Sequence, residues 1–204
     1  DTRISLTSVG FGVELRGLSI ADLDVEGHER LLKEYHESGG LLLIRDQAPV
    51  SPEVLCDFVR IFGAIECNEK YDPAFLVPGH PEVLRIGNAV EDGQHTALFI
   101  QADPPPLLWH TDDSFRDPQP IGSCLCCVQT PPEGGETGFA GMTAAYEALS
   151  DQLKCDINQM TTIHSYDHLN ELLRIKNPHR PILSTQLKSE LPPLRRPLVA
   201  THPV

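Results

Sequence analysis

One histidine and one aspartate, His110 and Asp112, have the residue types and the spacing of a metal-binding pair. On an extended segment, residues i and i+2 point to the same face, so this imidazole and carboxylate can reach one ion together. They would supply two ligands of the 2-His-1-carboxylate triad that binds non-haem Fe(II). The spacing alone is weak evidence, because a chain with nine histidines contains about 0.6 such pairs by chance.

The surroundings of His110 strengthen its candidacy as a ligand. The bulky residues Leu107, Leu108 and Trp109 lead directly into it, and a polar turn follows at Asp112. Ligands commonly bind where a scaffold strand gives way to a polar loop. We therefore take this segment as the leading candidate site.

Two further motifs carry residues capable of binding a ligand. In the segment 134–139, the glycines let the backbone approach a ligand closely, and the Thr137 hydroxyl can hydrogen-bond a carboxylate. A hairpin turn is the alternative interpretation of that segment. His80 and Glu82 form a competing histidine–carboxylate pair, which we interpret as a solvated turn because Pro81 separates them at the entry to a strand.

The cysteines do not predict a disulfide scaffold or a zinc site. Six cysteines among 204 residues are too few for a disulfide framework. Cys124, Cys126 and Cys127 crowd into one apolar segment, where adjacent strand residues point to opposite faces and do not converge on one ion. We expect them to be buried, reduced thiols.

Composition bounds the class of protein. Hydrophobic residues make up 40% of the chain and charged residues 22%, which is ordinary for a globular protein. The formal net charge of −13 argues against nucleic acid as the main partner, although a local cationic pocket can still bind a small anionic substrate. Since the sequence has neither a membrane-spanning run nor a signal segment, we expect a cytoplasmic protein. The composition also allows a homo-oligomer.

The chain is rich in turns, with 15 glycines and 18 prolines, so its elements are predicted to be short. Strands are predicted at Thr2–Ser8, Val13–Gly17, Leu41–Arg45, Val83–Ile86, Ile121–Gln129, Thr161–His164 and Leu198–Thr201. Helices are predicted around Leu31–Tyr35, from Pro52 to Gly63, and at Phe139–Leu149, Ser150–Gln159 and Leu169–Ile175. The stretch 87–106 is longer than an ordinary connection and is predicted to be an active-site loop.

This order of elements favours a mixed α+β fold. No βαβ alternation recurs, which argues against a doubly wound parallel sheet. A β-sandwich or jelly-roll core with helices packed outside fits better, in a single domain covering residues 1–204.

Several motifs in the same order give the chain a family resemblance. They are Gly39–Gln47, Phe58–Gly63, Pro81–Leu84, Trp109–Phe115, Pro131–Phe139 and Ala144–Leu149. Together they resemble the taurine dioxygenase and 2,4-dichlorophenoxyacetate dioxygenase family of Fe(II)- and 2-oxoglutarate-dependent oxygenases. The most specific of them are the segments around His110 and Thr137.

The resemblance implies a fold, a site and a reaction. The fold is a double-stranded β-helix, or jelly roll, with flanking helices. His110 and Asp112 would bind iron, and Thr137 would contact the carboxylate of 2-oxoglutarate. With O₂ as the other co-substrate, 2-oxoglutarate would be converted to succinate and CO₂ while a small-molecule substrate is hydroxylated. Substrate contacts in this scheme are sought among four loop residues: His95, Arg116, Tyr166 and His168.

One departure from the family pattern leaves an alternative open. The segment 198–204 matches an internal part of family members, whose second metal histidine and 2-oxoglutarate-binding arginine lie later in the chain. We therefore expect the C-terminal part of the domain to be missing. The alternative function is a non-catalytic jelly-roll relative that binds a small molecule without a complete iron site. Halogenation is disfavoured because Asp112 fills the position that a halide would need.

Overall fold

The structure, a computed structural model, describes two compact units. The first comprises Asp1–Leu107 and Cys124–Ala144, and the second comprises Leu108–Ser123 and Ala145–Val204. The described residues are 2–5, 10–67, 73–87, 90–95, 109–176 and 181–201.

The first unit contains a small mixed sheet and two helices. Its described elements are β1 (Thr2–Ser5), β2 (Val13–Arg16), α1 (Val25–Glu37), β3 (Leu42–Ile44), α2 (Pro52–Arg60), β4 (Leu76–Val77), β5 (His80–Leu84), β6 (Val90–Glu91) and β7 (Gln94–His95). Strand β2 pairs antiparallel with β1 and parallel with β3. Helix α1 makes the crossover that a parallel pair requires. The pairs β4–β5 and β6–β7 are antiparallel.

Local sequence signals explain where the two helices begin and end. Asp24 caps α1 by accepting a 2.8 Å hydrogen bond from the backbone N–H of Gly27. The helix ends before Gly39 and Gly40, whose φ angles of 74° and 86° lie in the left-handed region that glycine tolerates. Ser51 caps α2 in the same way, which confirms the predicted start of that helix.

The core of the first unit lies where β2 faces the two helices. Val13 and Leu15 from β2 pack with Leu31 of α1 and Phe58 of α2, and all four are buried. Glu14, between the two strand residues, is also buried and lies within salt-bridge distance of two arginines. Burial of these apolar side chains is the main favourable contribution to folding in this unit.

Further elements follow in chain order after residue 141. They are α3 (Met142–Glu147), α4 (Asp151–Ile157), β8 (Thr161–His164), α5 (Tyr166–Lys176), α6 (Thr185–Glu190) and β9 (Leu194–Pro197). In the second unit, β8 and β9 pair antiparallel, with Thr161 opposite Pro197 and His164 opposite Leu194. Asn170 of α5 is almost fully buried and donates a hydrogen bond to the carbonyl of Pro181.

The strand predicted at Ile121–Gln129 is wrong. Residues 121–140 form no strand in the structure, and Ile121 and Val128 are 71% and 93% exposed. Cys124, Cys126 and Cys127 are likewise exposed, so the expectation of buried thiols is also wrong. A strand is stabilised by its cross-strand partners, and within the described residues no strand pairs with this segment.

The C-terminal strand prediction is wrong in position. The strand is β9, which ends at Pro197, whereas the prediction began at Leu198. Strand β9 starts directly after Pro192 and Pro193. Helix α6 was not predicted, although Ser184 caps it by accepting a hydrogen bond from Leu187.

The described elements confirm a mixed class of helices and short strands. Part of the predicted loop 87–106 forms the hairpin β6–β7, and residues 96–106 lie outside the described part of the chain. Among the described residues, no helix is both long enough and apolar enough to span a membrane.

Candidate metal centre

The imidazole of His110 and the carboxylate of Asp112 converge in the second unit. His110 Nε2 lies 3.2 Å from Asp112 Oδ1, and both side chains are largely exposed. The backbone forms no strand here, and a turn begins at Asp112. We expected His110 and Asp112 on an extended segment, but the backbone there is irregular and enters a turn. The two donor groups nevertheless lie on one side of the backbone.

The Asp112 carboxylate is held at both oxygens. Its Oδ1 faces His110, and its Oδ2 accepts a 3.2 Å hydrogen bond from the hydroxyl of Ser123. Asp113, the next residue, has a φ of 49°, and its carbonyl accepts a hydrogen bond from the backbone N–H of Arg116. This left-handed residue reverses the chain directly after the pair.

Side chains from the antiparallel strand pair β8 and β9 anchor the turn. Nδ1 of His164, on β8, lies 2.8 Å from the hydroxyl of Ser114. Arg196, on β9, donates from Nε to the carbonyl of Ser114 at 3.1 Å and from its terminal nitrogen to the carbonyl of Arg116. One guanidinium thus binds two carbonyls of the turn, a geometry that suits its planar fork of donors.

Arg196, like Ser123, is a residue of this site that sequence reasoning missed. The signal for Arg196 was weak, because no strand was predicted between residue 175 and Leu198. In β9, Leu194 and Arg196 are half-buried while Arg195 and Pro197 are exposed, so Arg196 lies on the less exposed face of the strand. That alternation is only visible once the strand has the correct register.

The predicted substrate contacts have different surroundings. The rings of Tyr166 and Phe115 pack with their centroids 4.8 Å apart, and Arg116 Nε lies 3.2 Å from Asp113 Oδ1. The guanidinium of Arg116 is thus engaged by a carboxylate of its own turn. His168 is exposed on α5. His95 ends β7, and its side chain lies outside the described part of the structure.

Thr137 belongs to the first unit, whereas His110 and Asp112 belong to the second. Thr137 is exposed, within a segment that forms no helix or strand. Gly134 and Gly135 precede it with φ angles of 75° and 81°, a left-handed pair for which glycine is suited. The role of Thr137 in binding a carboxylate stays a prediction.

His80 and Glu82 are not the solvated turn that we expected. His80 starts strand β5, where it lies opposite Val77, and only 23% of its side chain is exposed. Pro81 is tolerated because proline occurs on edge strands, where its missing N–H costs no ladder hydrogen bond. The structure brings both residues together with Cys56 of α2.

Comparison with known proteins identifies the family. The profile described as "Taurine catabolism dioxygenase TauD, TfdA family" matches residues 3–204. The chain belongs to this family, as its motifs predicted.

Two curated relatives and one solved structure extend this result. The chain is 30% identical to the alpha-ketoglutarate-dependent 2,4-dichlorophenoxyacetate dioxygenase of Cupriavidus pinatubonensis, with 90% of this chain and 62% of the relative aligned. It is also 30% identical to the (S)-phenoxypropionate/alpha-ketoglutarate-dioxygenase of Sphingobium herbicidovorans, with 95% and 64% aligned. The chain thus spans less than two thirds of each relative's length.

The fold likeness is independent of close sequence similarity. The crystal structure of AAD-2 in complex with Mn(II) and N-oxalylglycine superposes with a TM-score of 0.72 at 24% identity, covering 100% of this chain and 69% of that one. This likeness shows that the chain shares the fold of that protein.

Proposed function

We propose that this chain is part of an Fe(II)- and 2-oxoglutarate-dependent dioxygenase that hydroxylates a small-molecule substrate and releases succinate and CO₂. The observation that carries the proposal is the 3.2 Å approach of His110 Nε2 to Asp112 Oδ1 in a chain of this family. We also propose that residues 1–204 form one domain built on a jelly-roll core, with the stretch 87–106 as its active-site loop.

The donors at the turn fit ferrous iron. An imidazole nitrogen and a carboxylate oxygen are the two ligand types of the facial triad for non-haem Fe(II). Both groups are accessible, and the turn directs them to one side of the backbone. The distance between them is short enough for one ion to replace their mutual contact. His110 and Asp112 would hold the iron, which when bound supplies the site where 2-oxoglutarate and O₂ are activated.

The remaining residues of the turn orient the pair. Ser123 donates to the Asp112 oxygen that does not face His110, which aims the carboxylate and reduces its rotational freedom. Arg196 and His164 fix the turn on which Asp112 stands. In the proposed function the Thr137 hydroxyl donates a hydrogen bond to the carboxylate of 2-oxoglutarate, which helps to orient the co-substrate.

A carboxylate-bearing small molecule is the substrate class we propose. The support is the pair of relatives, whose names specify phenoxyacetate and phenoxypropionate substrates. Arg116, His95, Tyr166 and His168 remain our proposed contacts. Because Arg116 is already paired with Asp113, it would bind a substrate anion only by exchanging that partner.

The test is succinate formation by the purified protein supplied with Fe(II), 2-oxoglutarate and a panel of aryloxy acids under air. Substrate-dependent succinate that requires Fe(II) is the expected result. Asp112→Ala should abolish it, because removal of a ligand carboxylate leaves the ion without an anionic donor. Asp156→Ala, which alters an exposed helix carboxylate, is the matched control and should keep the activity.

Two outcomes would contradict the proposal. Full turnover in Asp112→Ala would mean that another carboxylate binds the iron. Calorimetric binding of 2-oxoglutarate or an aryloxy acid that is independent of metal and produces no succinate would instead establish the non-catalytic binding protein.

A further inference from the structure

A second group of donors lies in the first unit and shares no residue with the candidate iron site. Cys56 stands on α2, and His80 and Glu82 stand on β5. One ligand atom from each of the three lies within 4.8 Å of the other two. His80 and Glu82 are two residues apart on a strand, so they project from the same face, and that face packs against α2.

The three donors are shielded from bulk water to different degrees. Cys56 is only 4% exposed, while His80 and Glu82 are half-buried. Burial, and secondarily the negative charge of Glu82, raise the pKa of the Cys56 thiol. A divalent cation would reverse that effect, because it stabilises a thiolate and neutralises the neighbouring carboxylate together.

A second carboxylate, that of Glu53, orients the histidine. Glu53 Oε1 lies 2.9 Å from Nε2 of His80, and Glu53 stands one helical turn before Cys56 on α2. Hydrogen bonds from Ser51 and from the backbone of Glu53, together with His80, hold the pKa of the Glu53 carboxyl below its usual value. Metal-ligating histidines commonly have such a carboxylate partner, which holds the ring in place.

We propose that Cys56, His80 and Glu82 form a zinc site, with Glu53 as the positioning residue for His80. A thiolate, an imidazole and a carboxylate are the three donor types that Zn²⁺ accepts, and tetrahedral coordination leaves one further position. The ion would link α2 to β5, which are separated in sequence by the residues between Cys56 and His80. Its role is structural, since it would add a covalent-strength link between two elements that otherwise meet through side-chain packing and the contact of Glu53 with His80.

Cobalt substitution gives the sharpest test, because thiolate ligation to Co²⁺ produces a charge-transfer band in the near ultraviolet. The full chain is stripped of metal with a chelator, exchanged into reducing buffer and titrated with Co²⁺. We expect a band that saturates at one ion per chain and disappears when Zn²⁺ is added. Cys56→Ser should lose the band, and His80→Ala and Glu82→Gln should weaken Co²⁺ binding at least about tenfold.

Matched variants separate this site from other donors. Cys155→Ser and Cys126→Ser remove exposed thiols and should keep the band. Asp112→Ala should keep it too, so a failure of the proposed iron site leaves this test unaffected. Glu53→Gln should lower the affinity by about 10–100-fold while retaining the band, as expected for a residue that acts through His80.

Thermal unfolding of the wild-type chain and of one conservative variant provides a test that does not depend on variants that fail to fold. Zn²⁺ should raise the unfolding temperature of the wild-type chain, and should raise it less in the conservative variant Glu82→Gln. The proposal is overturned if the wild type shows no charge-transfer band, or if Cys56→Ser shows the same band. It is also overturned if Zn²⁺ does not change the unfolding temperature.

Discussion

Replacement of Arg196 by alanine should loosen the turn that carries the candidate iron ligands. The guanidinium donates to the carbonyls of Ser114 and Arg116, and each hydrogen bond from a charged donor is worth about 1.5–3 kcal/mol. Because 27% of the Arg196 side chain is exposed, water can partly replace these hydrogen bonds in the variant. The lower end of the range therefore applies. We therefore expect Arg196→Ala to lower the free energy of unfolding by about 3 kcal/mol.

The assay compares Arg196→Ala with Arg195→Ala in urea unfolding and in Mn²⁺ binding. Arg195 is the neighbour on the same strand, but it is exposed and, within the described part of the chain, donates one hydrogen bond, to the hydroxyl of Thr161. Its removal should cost no more than about 0.5 kcal/mol. For a chain of this length, a 3 kcal/mol loss corresponds to a fall of about 6–12 °C in the unfolding temperature.

The same comparison separates positioning from simple stability. If Arg196 positions Asp112 through the turn, Arg196→Ala should weaken Mn²⁺ binding about tenfold at a temperature where the variant is fully folded, whereas Arg195→Ala should leave it unchanged. Arg196→Lys should recover part of the stability, since an ammonium retains the charge without the fork that reaches both carbonyls. Equal losses in the two alanine variants would refute the assigned role of Arg196.

Three further predictions concern the first unit. Leu31→Ala should lower the free energy of unfolding by about 2–5 kcal/mol in urea titrations, because Leu31 is 1% exposed in the core. The pKa of Glu14 is lowered chiefly by its hydrogen bond from Arg45, so its stabilisation is present above the unfolded pKa and is lost as pH falls through the folded one. Wild type and Glu14→Gln should accordingly differ in urea midpoint at neutral pH and converge in acid. Gly141→Ala should destabilise by about 1–3 kcal/mol in thermal unfolding, since its Cβ would lie 2.9 Å from the ring of Phe11.

Features that depend on neighbouring residues in the chain were predictable. The caps at Asp24 and Ser51 are local contacts between a side chain and a backbone N–H three residues on. The start of α2 at Pro52 was predicted from the sequence, whereas the helix predicted around Leu31–Tyr35 begins earlier, at Val25. The convergence of His110 and Asp112 is also local, because it depends on the geometry of three consecutive residues. The two side chains converge even though the segment that was predicted to be extended is irregular.

Features that depend on distant pairing were not predictable. The run Ile121–Gln129 has the composition of a strand, yet composition does not provide the partner on which a ladder depends. The last strand was predicted at the wrong position, because the register of β9 follows from its pairing with β8 and from the contacts of Arg196. His80 and Glu82 were visible as a pair, but their contact with Cys56 joins elements more than twenty residues apart.

By itself, the amino-acid sequence determined the family, the mixed helical and strand content, and the pair of side chains that we propose as iron ligands. These properties depend on residue identity and on geometry within a few bonds. Only the tertiary structure decided what holds that pair in place and which other donors meet. Such contacts depend on how the chain folds back on itself, and the hydrophobic burial that drives this folding is non-directional and specifies no individual polar contact.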